Sequence, residues 1–196
     1  ALGLDPDERL ILQPTRVVKR KGIENAIELV GRLGLKARLV ISHASGDEGH
    51  DYEKRIIDYS RGMQVNTLFV SDIINDRRGT TADGRKIYTL NDIYHHADFI
   101  TYPSTIEGFG NAFLEAVYFC KPIMVNCYSI YTFDIKPKGF TAVEIDGYVT
   151  DEAVALTRSL LEDEKLRKKM VETNYALAEK FYSYEVLHDK LMNLMV

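Results

Sequence analysis

Six short apolar runs limit what this chain can fold into more than any other feature. They read RLILQPT (9–15), ARLVIS (37–42), NTLFVS (66–71), DFITYP (98–103), KPIMVN (121–126) and TAVEID (141–146). Within them apolar residues are nearly continuous instead of alternating with polar ones, which is the pattern of strands covered on both faces. Between and after them lie segments of helical period. In GIENAIELVGRLG, Ile23, Ala26, Ile27 and Val30 share one face and Gly34 supplies a stop. Further helices are expected around YEKRIIDYSRG (52–62), over NDIYHHA (91–97) behind a TLND capping box, and from Gly110 onward. Thr150 caps DEAVALTRSLLED, and EKLRKKMVETNYALAEKF and YEVLHDKLMNLM follow, the last capped by Ser183. Alternating strands and helices with buried strands predict an α/β domain: an open, doubly wound, parallel, Rossmann-like sheet. In such sheets ligands lie at the carboxyl ends of the strands, so the loops after the first four strands are the places to search.

The 196 residues make one domain with room for a good core. A net charge of −4 gives no global basic field, which speaks against nonspecific nucleic-acid binding. No apolar run approaches the ~18 residues of a membrane span, and the opening ALGLDPDERL does not read as a signal peptide. A cytoplasmic location is expected. Cys120 and Cys127 read as reduced core thiols, and no Cys/His cluster has metal-ligand spacing.

Two loops stand out chemically. After the first strand, TRVVKRKGIENA places Arg16 and Lys21 just before a helix that Gly22 opens. A helix N-terminus carries free N–H donors and roughly half a positive charge. Two cations beside it make either a diphosphate site or, with Lys19 and Arg20, a solvated basic loop. After the fourth strand, STIEGFGNAFLEA brings a second helix tip, with glycines that let backbone approach a ligand. It is not the dinucleotide fingerprint, because no third Gly follows GFG at the required place. Glu107 precedes this tip. Glu115 sits in the second turn of a helix expected to bury Ala112, Phe113, Ala116 and Phe119, so it either finds a partner or lies on an exposed helix face. His43, Asp47, Glu48 and His50 form a polar surface loop or, less simply, a metal site. The long segment between the third and fourth strands, with Arg77, Arg78, Arg85 and Lys86 and a turn signal at Asp83-Gly84, reads as a charged surface hairpin or a phosphate or acceptor contact.

EGFGNAFLE resembles the E-x7-E signature of glycosyltransferase family 4, retaining enzymes of GT-B architecture, with its two acids at Glu107 and Glu115. QPTRVVKRKGIENAIELV, roughly 90 residues upstream, resembles that family's first donor-domain strand with its Arg and Lys-Gly. The resemblance runs from Leu10 to about Leu194, and implies that residues 1–196 are the C-terminal donor-binding half of a two-domain enzyme whose N-terminal acceptor domain is absent from this chain. It implies roles. Arg16 and Lys21 hold the diphosphate and, with Glu107 near the transferred sugar, form the catalytic set. Gly108, Phe109, Gly110 and Asn111 bind sugar and phosphate through backbone amides, and Glu115 accepts hydrogen bonds from the ribose hydroxyls. Val70, Ser71 and Asp72 read the base edge. The donor is then a UDP-, GDP- or ADP-hexose, with no metal or other cofactor, and the half domain alone is inactive. Three features depart from the family pattern. Thr15 stands where Gly is common, NCYSIYTFDI replaces a glycine-rich turn, and the segment 74–89 is long. The alternatives are a non-catalytic nucleotide-binding or assembly module on the same scaffold, and a nucleotide-sugar epimerase.

Overall fold

The structure, a computed structural model, describes residues 2–46 and 50–194. Its strands are β1 (Arg9–Gln13), β2 (Ala37–Ile41), β3 (Asn66–Phe69), β4 (Gly79–Thr80), β5 (Lys86–Ile87), β6 (Phe99–Tyr102), β7 (Ile123–Asn126) and β8 (Val143–Ile145). Its α-helices are α1 (Ile23–Arg32), α2 (His50–Gly62), α3 (Leu90–His96), α4 (Asn111–Tyr118), α5 (Asp151–Glu162), α6 (Glu164–Tyr182) and α7 (Tyr184–Leu194). Six strands form one sheet in the order β3-β2-β1-β6-β7-β8, with every neighbouring pair parallel. β4 and β5 make a separate antiparallel hairpin. The expected doubly wound, Rossmann-like α/β sheet is therefore present.

The continuous apolar runs are explained by cores on both faces. On β1, Leu10 and Leu12 point into one core and Ile11 into the other. β7 repeats this, with Ile123 and Val125 on one side and Met124 on the other. Ile23, Ala26, Ile27, Leu29 and Val30 of α1 close the Ile11 side, together with α2 and α5. Ala112, Phe113, Ala116 and Val117 of α4 close the Leu12 side, together with α3 and part of α6. A side chain of period two thus meets a helix whichever way it points.

The ends of the elements follow local chemistry. The Thr89 backbone N–H and hydroxyl both donate to Asp92 Oδ2, at 2.9 and 3.0 Å, and start α3. The Thr150 hydroxyl accepts from Ala153 N at 3.2 Å and starts α5. Asp163 accepts from Lys165 N and Leu166 N and starts α6. The segment 74–89 contains the hairpin, held by Arg85 against Asp72 (2.6 Å) and Asp83 (2.8 Å) and by Arg78 against Asp92. Asp47 and Glu48 lie outside the described residues.

Two sequence readings need correction. Cys120 is not a core thiol. It is exposed, just past α4, in the left-handed backbone region. Phe119 also lies beyond α4 and is half-buried, because the helix ends at Tyr118 and the ring turns to stack on Tyr94 at 4.9 Å. NCYSIYTFDI, which has no glycine to make a tight turn, forms a π-helical turn (Tyr131–Ile135) that packs Tyr131 against Phe113. Phe113 is fully buried against Tyr131 and Phe140. Phe113→Ala is expected to destabilise the domain by about 3–5 kcal/mol in urea denaturation. A loss under about 1 kcal/mol would mean that this aromatic cluster does not hold α4 to the sheet.

Candidate functional site

The strand order reverses between β1 and β6. The chain leaves β1 towards α1 on one face and leaves β6 towards α4 on the other. The two loops diverge, and between them lies an open cleft of about 440 Å³. Arg16 and Lys21 from the β1 loop line it, as do Glu107, Gly108, Phe109, Gly110 and Asn111 from the β6 loop and Glu115 from α4. The structure thus brings these eight of the eleven sequence-predicted site residues together. Val70, Ser71 and Asp72 are not in the lining: Val70 is buried, and Asp72 is exposed and paired with Arg85.

Backbone and buried polar groups fix the loops. Thr105 N donates to Arg20 O at 2.9 Å, tying the β6 loop to the β1 loop, and Val17 N donates to Ala44 O at 3.2 Å, tying β1's loop to β2's. Beneath them, the Thr101 hydroxyl donates to Gln13 Oε1 (2.7 Å) and Gln13 Nε2 donates to Thr15 Oγ1 (2.8 Å), all three residues being buried. Each of these polar groups has a partner, so the strand ends are fixed without an orphaned amide.

Both helix tips depend on glycine. Gly22 and Gly110, the residues before α1 and α4, have φ of +60° and +94°. A Cβ on Gly22 would run into the Pro103 carbonyl oxygen, and one on Gly110 would lie 2.5 Å from the Tyr128 hydroxyl. Tyr128 itself donates to Phe109 O at 3.3 Å and meets Tyr102 edge-on. The aromatic segment after β7 therefore braces the mouth of α4 from below.

Charge in the cleft is organised in pairs. Lys21 donates to Glu107 Oε1, Arg20 lies 3.9 Å from Glu107 Oε2, and Lys21 Nζ sits 5.5 Å from the Tyr102 ring centre. The residues read from sequence as the phosphate cation and the sugar acid are thus one ion pair. Their side chains are only 11% and 10% exposed. Burial, the largest single influence, disfavours the Glu107 anion, but the hydrogen bonds from Lys21, Ser104 and Tyr102, with the Lys21 charge, together outweigh it and hold the carboxyl below its ordinary value. Glu115 has the partner its position demanded, because the buried Tyr94 hydroxyl donates to Oε2 at 3.0 Å. Burial, and then the Glu115 charge, push the Tyr94 phenol well above its usual range, so it remains a donor.

Sequence reasoning missed Tyr94, Tyr102 and Tyr128, and it read His43 only as part of a polar surface loop or a metal site. His43 lines the cleft, half-buried. A tyrosine on a helix face carries no sign in sequence that it will meet a carboxylate 21 positions away. His95 and His96 are both exposed on α3. Among the described residues no three His, Cys, Asp or Glu side chains are grouped to hold a metal, and no helix is long and apolar enough to cross a membrane. A larger hollow of about 970 Å³ lies between the hairpin, α3 and residues 2–10, but it has neither helix tip.

Residues 84–177 match the family described as glycosyl transferases group 1. That stretch includes Glu107 and Glu115 and excludes Arg16, Lys21 and His43. Mannosylglucosylglycerate synthase of Petrotoga mobilis is 32% identical over 162 residues, covering 74% of this chain and 37% of that protein. The enzyme of the same name from Thermotoga maritima is 28% identical, covering 97% of this chain and 49% of that protein. The chain therefore spans half or less of the length of these relatives. Anabaena HepE in complex with UDP superposes with a TM-score of 0.76 at 14% identity, over 96% of this chain and 49% of that one. The C-terminal domain of the Francisella tularensis group 1 glycosyl transferase LpcC gives 0.67 at 20% identity, over 90% and 87%. Together these matches support a glycosyltransferase domain of the GT-B type.

Glu107→Gln tests the ion pair. A carboxylate whose folded pKa is depressed adds stability above its unfolded value, near 4.3, and loses it as pH falls through the folded value. At pH 7 the variant is expected to be roughly 1–3 kcal/mol less stable, with Lys21 left without its anion. The gap should close as pH falls below about 4. A gap in urea midpoints that stays constant with pH would contradict the pairing.

Proposed function

We propose that this chain is the donor-binding half of a retaining glycosyltransferase that moves a hexose from a nucleoside diphosphate sugar to an acceptor held by a second domain. The observation that carries this reading is the convergence, in one cleft at the switch point, of the N-terminal end of α4, Arg16, Lys21 just before α1, and the acid pair Glu107 and Glu115. Helix tips and fixed cations suit a diphosphate, and a carboxylate accepts from both hydroxyls of a vicinal diol.

In the mechanism, the bond from the anomeric carbon to the diphosphate oxygen breaks while the bond to the acceptor oxygen forms. Negative charge grows on the leaving diphosphate. Arg16, Lys21 and the N-terminal end of α4 line the cleft where that charge forms, and they stabilise it more in the transition state than in the ground state. Removing one such contact typically costs about 3–4 kcal/mol of barrier. Lys21 then shares itself between Glu107 and the phosphate, which leaves one Glu107 oxygen for a sugar hydroxyl. Glu115, held by Tyr94, takes the ribose. Protein cations meet the phosphate charge, so no metal is required. The base lies towards residues 70–72, beyond the cleft lining. A mannosyl or glucosyl donor is favoured by the names of the two synthases. The half domain alone is inactive because an acceptor needs the second domain to orient it and to exclude water. The exposed apolar side chains of α7, Tyr184, Leu187 and Leu191, are where that domain would pack.

UDP, GDP and ADP, each at millimolar concentration, separate this reading from a scaffold without a donor site. At 100 times Kd the matching nucleotide should stabilise the domain by about 2.7 kcal/mol in a thermal melt. No shift with any of the three would overturn the reading. Glu115→Ala should weaken that binding by about tenfold or more. Glu107→Ala should act mainly on turnover of the complete enzyme. Equal losses of simple nucleotide affinity would contradict the division of roles, and sugar transfer rather than epimer formation in the complete enzyme would exclude the epimerase.

A further inference from the structure

His43 follows β2 and faces the same cleft from the side opposite α4. Its Nδ1 lies 2.7 Å from the hydroxyl of Ser42, which is 1% exposed. That hydroxyl has one proton and two acceptors within reach: Nδ1 at 2.7 Å, and the Gln13 carbonyl at 3.5 Å. The Gln13 carbonyl already accepts the Ser42 backbone N–H, at 3.3 Å. The shorter contact therefore takes the proton, Nδ1 accepts it, and the neutral ring carries its hydrogen on Nε2, the other nitrogen of the ring edge. The pair also accommodates the charged ring. If Nδ1 gains a proton it donates to the Ser42 oxygen, and the hydroxyl turns to the Gln13 carbonyl. Few side chains have a partner suited to both of their protonation states.

The charges acting on the ring are Arg16 from the β1 loop, Asp76 from the base of the hairpin segment and Glu115 from α4. Asp47 and Glu48, in the same loop as His43, lie outside the described residues. Burial, with Arg16, pushes the imidazole below its usual value, against Glu115 and Asp76, so at neutral pH the ring is uncharged. Arg16 belongs to the diphosphate end of the proposed donor site and Glu115 to the ribose end. The part of a nucleoside diphosphate that lies between ribose and distal phosphate is the proximal phosphate.

Resting on the proposed donor site, we infer that His43 is a ligand of the donor's proximal phosphate, donating from Nε2–H, and that it takes up a proton when the diphosphate binds. An anion placed against the ring favours its charged form, so the bound state holds its proton to higher pH than the free state. Donor affinity then rises as pH falls between the two values, by up to tenfold per pH unit for one proton. Protonation of Glu115 or Asp76 would act in the opposite sense, by removing an anion that accepts hydrogen bonds or raises the His43 value.

The test uses UDP-glucose, GDP-mannose and ADP-glucose. Their diphosphates are diesters, so they have no phosphate group that titrates near neutrality. Calorimetric affinities between about pH 5.5 and 8, in buffers of differing ionisation enthalpy, report proton uptake directly. The wild type should bind its donor about 3- to 10-fold more tightly at the acid end and take up a fraction of a proton. His43→Gln keeps an N–H donor without a titrating ring, so it should bind at the alkaline end within a few-fold of wild type and show no pH slope. His43→Ala should lose both the donor and the slope. Ser42→Ala should alter the slope while leaving the melting temperature in the absence of ligand close to that of wild type. Affinity for the bare nucleosides uridine, guanosine and adenosine should not depend on pH through His43. A pH slope that survives in His43→Gln overturns the inference and leaves the donor site standing. Absence of binding by all three nucleotide sugars overturns the donor site and the inference with it.

Discussion

Everything at the rim of this domain depends on β1 and β6 being parallel neighbours whose following helices pack on opposite faces of the sheet. Two loops that must separate cannot close over the strand ends, so a crevice opens there. The same divergence brings the N-terminal end of α4, and Lys21 just before α1, to the crevice, and both helices start from a glycine in the left-handed region. Partial positive charge from the α4 tip then meets Arg16 and Lys21, and the buried Thr101–Gln13–Thr15 chain holds the floor.

A site proposed to stabilise a leaving anion has a difficulty when one of its cations, Lys21, is buried while Arg16 stays exposed. An unpaired ammonium beside Tyr102 would be costly. Glu107 answers this by pairing with Lys21. Tyr94 does the corresponding work for Glu115 as a neutral donor, through a phenol that burial keeps protonated. The two acids of the motif are thus stabilised differently, one by charge and one by a dipole. The difference fits one acid near the seat of the reaction and the other at a binding hydroxyl pair.

Much of the fold was legible because its signals are local or periodic. The central strands β1, β6 and β7 are buried on both faces, so their apolar runs were unbroken, and caps such as Thr89 and Thr150 stand where their helices start. The signals failed where tertiary contact decides the outcome. Cys120 sits in an apolar stretch but falls past the end of α4, where the chain turns into the left-handed region towards solvent. The Lys21–Glu107 pair joins residues 86 positions apart, and no spacing rule connects them. His43 looked like one polar residue among several, and only the geometry of Ser42 and the cleft separates it from its neighbours.

The most direct measurement is a crystal structure of the domain with an intact nucleoside diphosphate sugar. The diphosphate is expected across the N-terminal ends of α1 and α4, within hydrogen-bonding reach of Arg16 and Lys21, with the ribose hydroxyls on Glu115 and the hexose beside Glu107. A nucleotide seated elsewhere, for example in the hollow under the β4–β5 hairpin, with the Arg16–Glu115 cleft holding only water, would contradict a donor site at the switch point.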